Sequence, residues 1–301
     1  MMELMTVFLG LFLSYTLLRT IFSIFGIGGP KNLPPGPTPL PIIGNLHLLS
    51  DQPHQSLAKL AKTHGPIMYL KLGRITTLVI SSSDVAKEAL RKQDLAFSTR
   101  HLPDALHAHN HSINSVVWMP VSTQWRTLRK ILNSNIFSSS SLDSKQHLRS
   151  QKVHELVAYC EKASKSNDVV DIGRASFRTS LNLMSNTIFS KDLADPYDDS
   201  GKEFKELVEN IMMEAGKPNI VDYFPVLRKM DPQGIKRRMT CHFEKIFEIF
   251  EELIKERLVM KKTKQDDVLD VFLKVSEENP DEINRSHIKS LFLVSDKLLD
   301  I

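Results

Sequence analysis

The sequence predicts a mainly α-helical body carrying one small β element, with a single long apolar run ahead of it. Three observations lead there. Apolar residues recur at helical spacing in long stretches, as at Phe177, Leu181, Met184 and Ile188, and again at Met239, Phe243, Ile246, Phe250 and Leu253. Strand-type runs rich in β-branched residues are confined to Ile67–Leu72 and Ile75–Ser81, with a short Val169–Ile172 later. The one long apolar run, broken only by Arg19 and a few Ser, Thr, Tyr and Gly, covers Leu4 to Ile27.

That run is long enough to cross a bilayer, for which about 20 apolar residues suffice. Glu3 is the only charge before it, Arg19 lies inside and Lys31 follows. A cleaved signal peptide wants a basic start and a small-x-small cleavage site. A retained anchor over residues 1–29 is therefore expected, with the downstream body on the cytosolic side. Residues 30–45 are proline-rich and read as a stiff hinge between anchor and body, or as a plain linker. The body, 46–301, follows.

His54–Thr63 reads as a short helix ended by Gly65-Pro66. Gly73-Arg74 joins the two strand runs as a hairpin, and Asp84–Arg91 returns to helix. His101, His107, His109 and His111 crowd one loop. They raise the possibility of a metal site, but no cysteine or second histidine cluster completes it and Asp104 is the only close carboxylate. Ser141–Lys165 and Gly173–Ser190 are expected as helices flanking the short 169–172 strand. Glu203–Glu214, Gln233–Lys262, Asp266–Ser276 and a last helix, Arg285–Leu293, capped by Asn284, follow. On the longest of these a coiled-coil seam is the alternative, and its repeat is short for one.

The 301 residues suit one large domain or two small ones, and the +4 net charge is spread without a basic block, which argues against nucleic acid. Only two cysteines occur, Cys160 and Cys241, so no disulfide framework is implied. No nucleophile elbow, phosphate loop, dinucleotide fingerprint or H-E-x-x-H pair is present.

The densest chemical signal is Trp125-Arg126-Thr127-Leu128-Arg129-Lys130. On a helix Trp125 and Arg129 share a face, and both are hydrogen-bond donors only. Arg126 and Lys130 form a second pair, turned toward solvent or an acidic partner. By spacing alone, an amphipathic surface helix with a half-buried tryptophan explains the pattern.

Taken with Phe97-Ser98-Thr99-Arg100, Val116-Val117-Trp118-Met119-Pro120 and Pro34-Pro35-Gly36-Pro37, however, the chain resembles a plant membrane-bound cytochrome P450 of the geraniol hydroxylase-like group. The resemblance runs to about Leu293. It implies haem as cofactor, with Trp125 and Arg129 on the haem propionates and Arg100 as a third contact. It also implies an endoplasmic reticulum anchor, electrons from an NADPH-dependent flavoprotein reductase, and hydroxylation of small apolar, monoterpenoid-type substrates. The histidine loop would then roof the substrate pocket and tune specificity.

The same resemblance exposes gaps. The haem-thiolate cysteine of the family lies in an F-x-x-G-x-R-x-C loop, and neither Cys160 nor Cys241 has such surroundings. The oxygen-helix step expected after Leu293 reads Val294-Ser295-Asp296-Lys297 instead. Glu88–Arg91 and Glu282–Arg285 match the E-x-x-R core motif in the wrong place. The expectation is a truncated P450 domain, inactive by itself, whose 177–188 stripe lacks its partners and whose body folds poorly. The alternatives are a non-catalytic, membrane-anchored helical binding protein and a histidine-based metal binder.

Overall fold

The structure, a computed structural model, describes residues 8, 10–17, 33–194, 201–259 and 267–297. Residues 10–17 are helical, but most of Leu4–Ile27 lies outside the described residues. Among the described residues no helix is long and apolar enough to cross a membrane.

The chain divides into two compact units, one of residues 1–97 with 219–232 and the other of 98–218 with 233–301. In the first, residues 33–45 of the proline-rich lead are non-helical as expected and run beside the hairpin, with Tyr69 N–H donating to the Pro35 carbonyl at 2.9 Å. A β-carbon on Gly36 would meet that strand's Tyr69 carbonyl at 2.0 Å, so the close approach needs glycine. Pro53–His64 is a helix, and Gly65 at φ 96° ends it. Strands β1 (Ile67–Leu72) and β2 (Ile75–Ile80) pair antiparallel from Ile67↔Ile80 to Leu72↔Ile75, and Gly73 turns between them at φ 59°. The helix expected at Asp84–Arg91 begins one residue earlier, capped by the Ser82 hydroxyl on Val85 N–H, and widens to a π-turn over Glu88–Lys92.

The second unit is helical. Ile235–Val259 forms its axis, with Met239, Phe243, Ile246 and Phe250 fully buried, which is the stripe read from spacing. It packs on the turn Asp104–Asn110 and on the helix Lys202–Gly216. Residues 260–262 of the expected helix lie outside the described residues. The expected Ser141–Lys165 helix is two, Ser139–Ser144 and Gln146–Ser166, because Lys145 leaves helical geometry between them.

Two expectations are corrected. Val169–Ile172 is not a strand: Val169 is 95% exposed, among the described residues no strand lies beside it, and Asp171 caps the helix Ile172–Phe189 by accepting from Arg174 N–H at 3.0 Å. The 177–188 stripe is not left without partners either. Leu181 and Ile188 are each 1% exposed, and Phe177 and Met184 lie against the same core. The cover comes from the helices Val268–Glu278 and Arg285–Lys297, where Phe292 meets Phe189 edge-on at 4.7 Å.

A candidate haem-carboxylate groove

The helix Thr123–Asn135 starts where Ser122, in extended conformation, accepts the Trp125 backbone N–H on its hydroxyl at 3.2 Å. Leu128 and Leu132 turn into the core and are buried. The opposite face carries Arg126, Arg129, Lys130 and Asn133, all exposed. Alternation of these two faces fixes which side of the helix is free to bind.

Trp125 sits between them, half-buried against the core cluster. Its indole Nε1–H donates to the Val116 carbonyl at 2.9 Å. That carbonyl belongs to a tight turn in which the Ser115 carbonyl accepts from Trp118 N–H at 3.0 Å and Met119 N–H at 2.9 Å. The indole thus ties the segment before the helix back onto the helix.

Trp125, Arg126, Arg129, Lys130, Asn133 and Ser134 line one open groove of about 500 Å³. Its lining holds three cations and no carboxylate. Trp125 and Arg129 are therefore brought together as the sequence suggests. Arg100 is exposed and does not line this groove. Among the described residues, neither Arg100 nor Arg129 makes a side-chain hydrogen bond or ion pair.

The donor set fits the carboxylate edge of a haem. A guanidinium offers a planar fork of N–H groups that grips a carboxylate with two parallel bonds. Trp125 has only one donor, and it binds a carboxylate only by exchanging its bond to Val116. Cys160 lies half-buried within the helix Gln146–Ser166, and Cys241 is exposed on Ile235–Val259. Neither lines the groove.

The histidines take separate roles. His107 Nδ1 and the Ser112 hydroxyl are 3.0 Å apart, closing a kink where His109 and Asn110 adopt φ of 50° and 57°. His111 is buried with its ring 4.8 Å from Phe243, and His109 meets Phe247 edge-on at 6.1 Å. Among the described residues no group of three His, Cys, Asp or Glu side chains converges as metal ligands.

Sequence reasoning missed the ties that hold this unit. Gln124 Nε2 donates to the Glu282 carbonyl, linking the start of the groove helix to the turn before Arg285–Lys297. Arg238 grips the buried Glu214 at 3.0 and 2.8 Å, and Lys217 adds a third contact at 2.7 Å. Arg238 lowers the Glu214 pKa to about 2, with help from Lys217 and against the opposing effect of burial. Arg257 holds the buried Asp267 at 2.8 and 2.7 Å, reaches Asp270 at 2.6 Å, and is pushed above the ordinary arginine range by the Asp267 carboxylate. Such partners lie tens of residues apart or across a loop, and no local pattern flags them.

Residues 34–294 match the family description Cytochrome P450. The chain is 66% identical over 265 residues to geraniol 8-hydroxylase of Swertia mussotii, covering 87% of this chain and 54% of that protein. It is 64% identical over 283 residues to 7-ethoxycoumarin O-deethylase of Helianthus tuberosus, covering 94% and 57%. It is 57% identical over 280 residues to lauric acid 10-hydroxylase of Petunia hybrida, covering 91% and 49%. The chain spans about half the length of the curated relatives it matches.

Proposed function

The chain belongs to the cytochrome P450 family, whose cofactor is haem, and on that premise we propose that its 301 residues supply the carboxylate-binding edge of a haem-dependent monooxygenase acting on small apolar, terpenoid-type substrates. The observation that carries this is the cationic groove beside Trp125, with Arg129 exposed in its lining and no acid there.

Arg129 grips one propionate through its guanidinium fork. Trp125 either exchanges its Val116 bond for the same carboxylate or keeps it and holds the 115–119 turn in place. Arg100, which does not line the groove, is assigned a further carboxylate contact by the family resemblance alone. Bound haem supplies an iron centre for dioxygen chemistry, tuned in this family by a cysteine thiolate. Cys160 and Cys241, each on a helix and away from the groove, do not supply that thiolate. Residues 1–301 by themselves therefore bind haem without acting as a monooxygenase.

The relatives named for geraniol, 7-ethoxycoumarin and lauric acid act on small, largely apolar molecules, which supports the substrate class. The terpenoid choice rests on the geraniol 8-hydroxylases, at 66% and 65% identity. An NADPH-dependent flavoprotein reductase is the electron donor. Leu4–Ile27 anchors the protein in the endoplasmic reticulum membrane with its body in the cytosol.

A chimaera tests this reading. Residues 1–293 are joined to the remainder of the Swertia mussotii relative and assayed with reductase and NADPH. It should hydroxylate geraniol in preference to laurate. A haem-loaded chimaera that prefers laurate would remove the terpenoid assignment.

A further inference from the structure

The turn that leads into the last helix, Arg285–Lys297, is fastened by a reciprocal pair of hydrogen bonds. Asn284 Oδ1 accepts the His287 backbone N–H at 3.1 Å, and His287 Nδ1 accepts the Asn284 backbone N–H at 3.2 Å. The Asn284 carbonyl then takes the first bond of the helix, from Ile288 N–H at 3.0 Å. This is the geometry of a capping box, in which the cap residue and one three positions on satisfy each other's backbone donors. Glutamate or glutamine ordinarily fills the second position. Histidine differs from both, because an unperturbed imidazole changes charge between about pH 5 and 8.

One protonation state fits this cap. A backbone N–H only donates, so Nδ1 must offer its lone pair while the neutral ring keeps its proton on Nε2. A protonated ring has N–H groups at both nitrogens and cannot accept. It also sets a positive charge in the first turn of a helix, beside the positive end of the backbone dipole. His287 is half-buried, and burial holds its pKa below the ordinary 6.5.

Charged neighbours do not hold the ring. Arg285 and Lys289, on its own helix, pair with Glu251 of Ile235–Val259 at 3.1 and 3.2 Å, and Glu248 and Lys255 lie one turn to either side of Glu251. Asp281 and Glu282 are exposed on the preceding turn. Val268–Glu278 ends in Glu277 and a Lys274–Glu278 pair, Ile172–Phe189 carries Arg174 and Arg178, and His111–Asn114 carries His111. Among the described residues none of these side chains makes an ion pair or hydrogen bond with the ring.

We propose that His287 is a proton-sensitive latch on the turn 279–284: the neutral ring closes the cap, and the protonated ring releases the Asn284 N–H and loosens the turn. The turn also braces its surroundings. The Glu282 carbonyl accepts from Gln124 Nε2 at the start of the groove helix, and the Ile283 carbonyl accepts from the Ser276 hydroxyl at 3.0 Å. Acidification therefore reaches the helix that carries Trp125 and Arg129. With the folded pKa below the unfolded one, the latch stabilises fully above pH 6.5 and is lost as pH falls through the folded value.

The test measures amide hydrogen exchange, residue by residue, in the full 301-residue chain and in His287→Gln. It compares about pH 7.5 with about pH 5, to either side of the histidine transition, after correction for the intrinsic pH dependence of exchange. Glutamine keeps an acceptor at the same position and does not titrate. In the parent, protection of the Asn284 amide should fall roughly 2- to 10-fold on acidification, as for the loss of one hydrogen bond. The Glu282 and Ile283 amides, which bond the Asn279 carbonyl, should lose protection with it. In the variant all three should stay level. A level parent, or a variant that falls as far as the parent, would overturn the proposal. Should the variant not fold, the nitrogen chemical shifts of the His287 ring decide alongside the parent's exchange. A proton on Nε2 and none on Nδ1 at neutral pH is expected, and a proton on Nδ1 would overturn the latch.

Discussion

Trp125 and Val116 are joined by a 2.9 Å hydrogen bond from the indole Nε1–H to the backbone carbonyl, across nine residues of sequence. Val116 is buried, so this carbonyl has little access to water once the indole is removed. Trp125→Phe keeps most of the ring and deletes the donor. It should lower stability by about 1–2 kcal/mol, in the range for a hydrogen bond whose partner is left unmade. Urea unfolding of the 301-residue chain measures this. An unchanged midpoint would mean that the tie contributes nothing.

Glu214 links stability to acid pH. Its carboxyl titrates near 2 in the folded chain against an ordinary value of 4.5, because Arg238 and Lys217 stabilise the charged form. A depressed folded pKa stabilises the protein above the unfolded pKa. The contribution is complete above about pH 4.5 and is lost as pH falls toward 2. Glu214→Gln should reduce stability at neutral pH by about 1.5–3 kcal/mol, the range for hydrogen bonds to charged groups, and should flatten the acid limb. A variant whose stability falls between pH 5 and 3 as steeply as the parent's would contradict this.

Among the described residues, Arg257 and Asp267 form the most buried ion pair, with side chains 10% and 0% exposed. The Ser190 hydroxyl also donates to Asp267, at 2.8 Å. Arg257→Ala leaves a buried carboxylate without its cation and should cost about 3–5 kcal/mol. The double change Arg257→Leu with Asp267→Leu should cost less than either single change, because no lone charge remains inside. Thermal melts of the four proteins give the coupling, and additive losses would show that the pair does not act as a unit.

Leu181 and Ile188 are core residues, so polar substitution should not solubilise the chain. Leu181→Ala and Ile188→Ala should each cost about 2–5 kcal/mol by loss of burial plus a cavity. Leu181→Asp should abolish cooperative unfolding by calorimetry. Improved solubility with an intact sharp melt would show that the stripe is exposed.

Local signals carried most of the fold into view. The 239–253 stripe and the Gly73 turn each sit within a few residues of what they control, and each appears where the pattern puts it. The failures were tertiary. Val169 and Val170 have strand propensity but no neighbouring strand, so the Asp171 cap prevailed. The stripe at 177–188 found cover in Phe292 and its neighbours, which spacing along one helix cannot reveal. In the groove, the Trp125–Arg129 pairing follows from helical spacing, whereas the commitment of the indole to Val116 depends on a turn that doubles back. Arg100 was linked to the pair by resemblance alone, and it does not line their groove.

The central claim is the proposal that Arg129 offers a carboxylate grip for haem and that neither Cys160 nor Cys241 supplies the iron's thiolate. Its most direct measurement is a haem titration of the 301-residue protein and of Arg129→Ala, followed by reduction under carbon monoxide. Losing one charge-assisted contact of about 1.5–3 kcal/mol should weaken haem binding roughly 10- to 100-fold in the variant. The reduced carbonyl spectrum of the parent should lack the red-shifted Soret band of thiolate ligation. Equal affinity in the two proteins, or a thiolate-type band in the parent, would contradict the account.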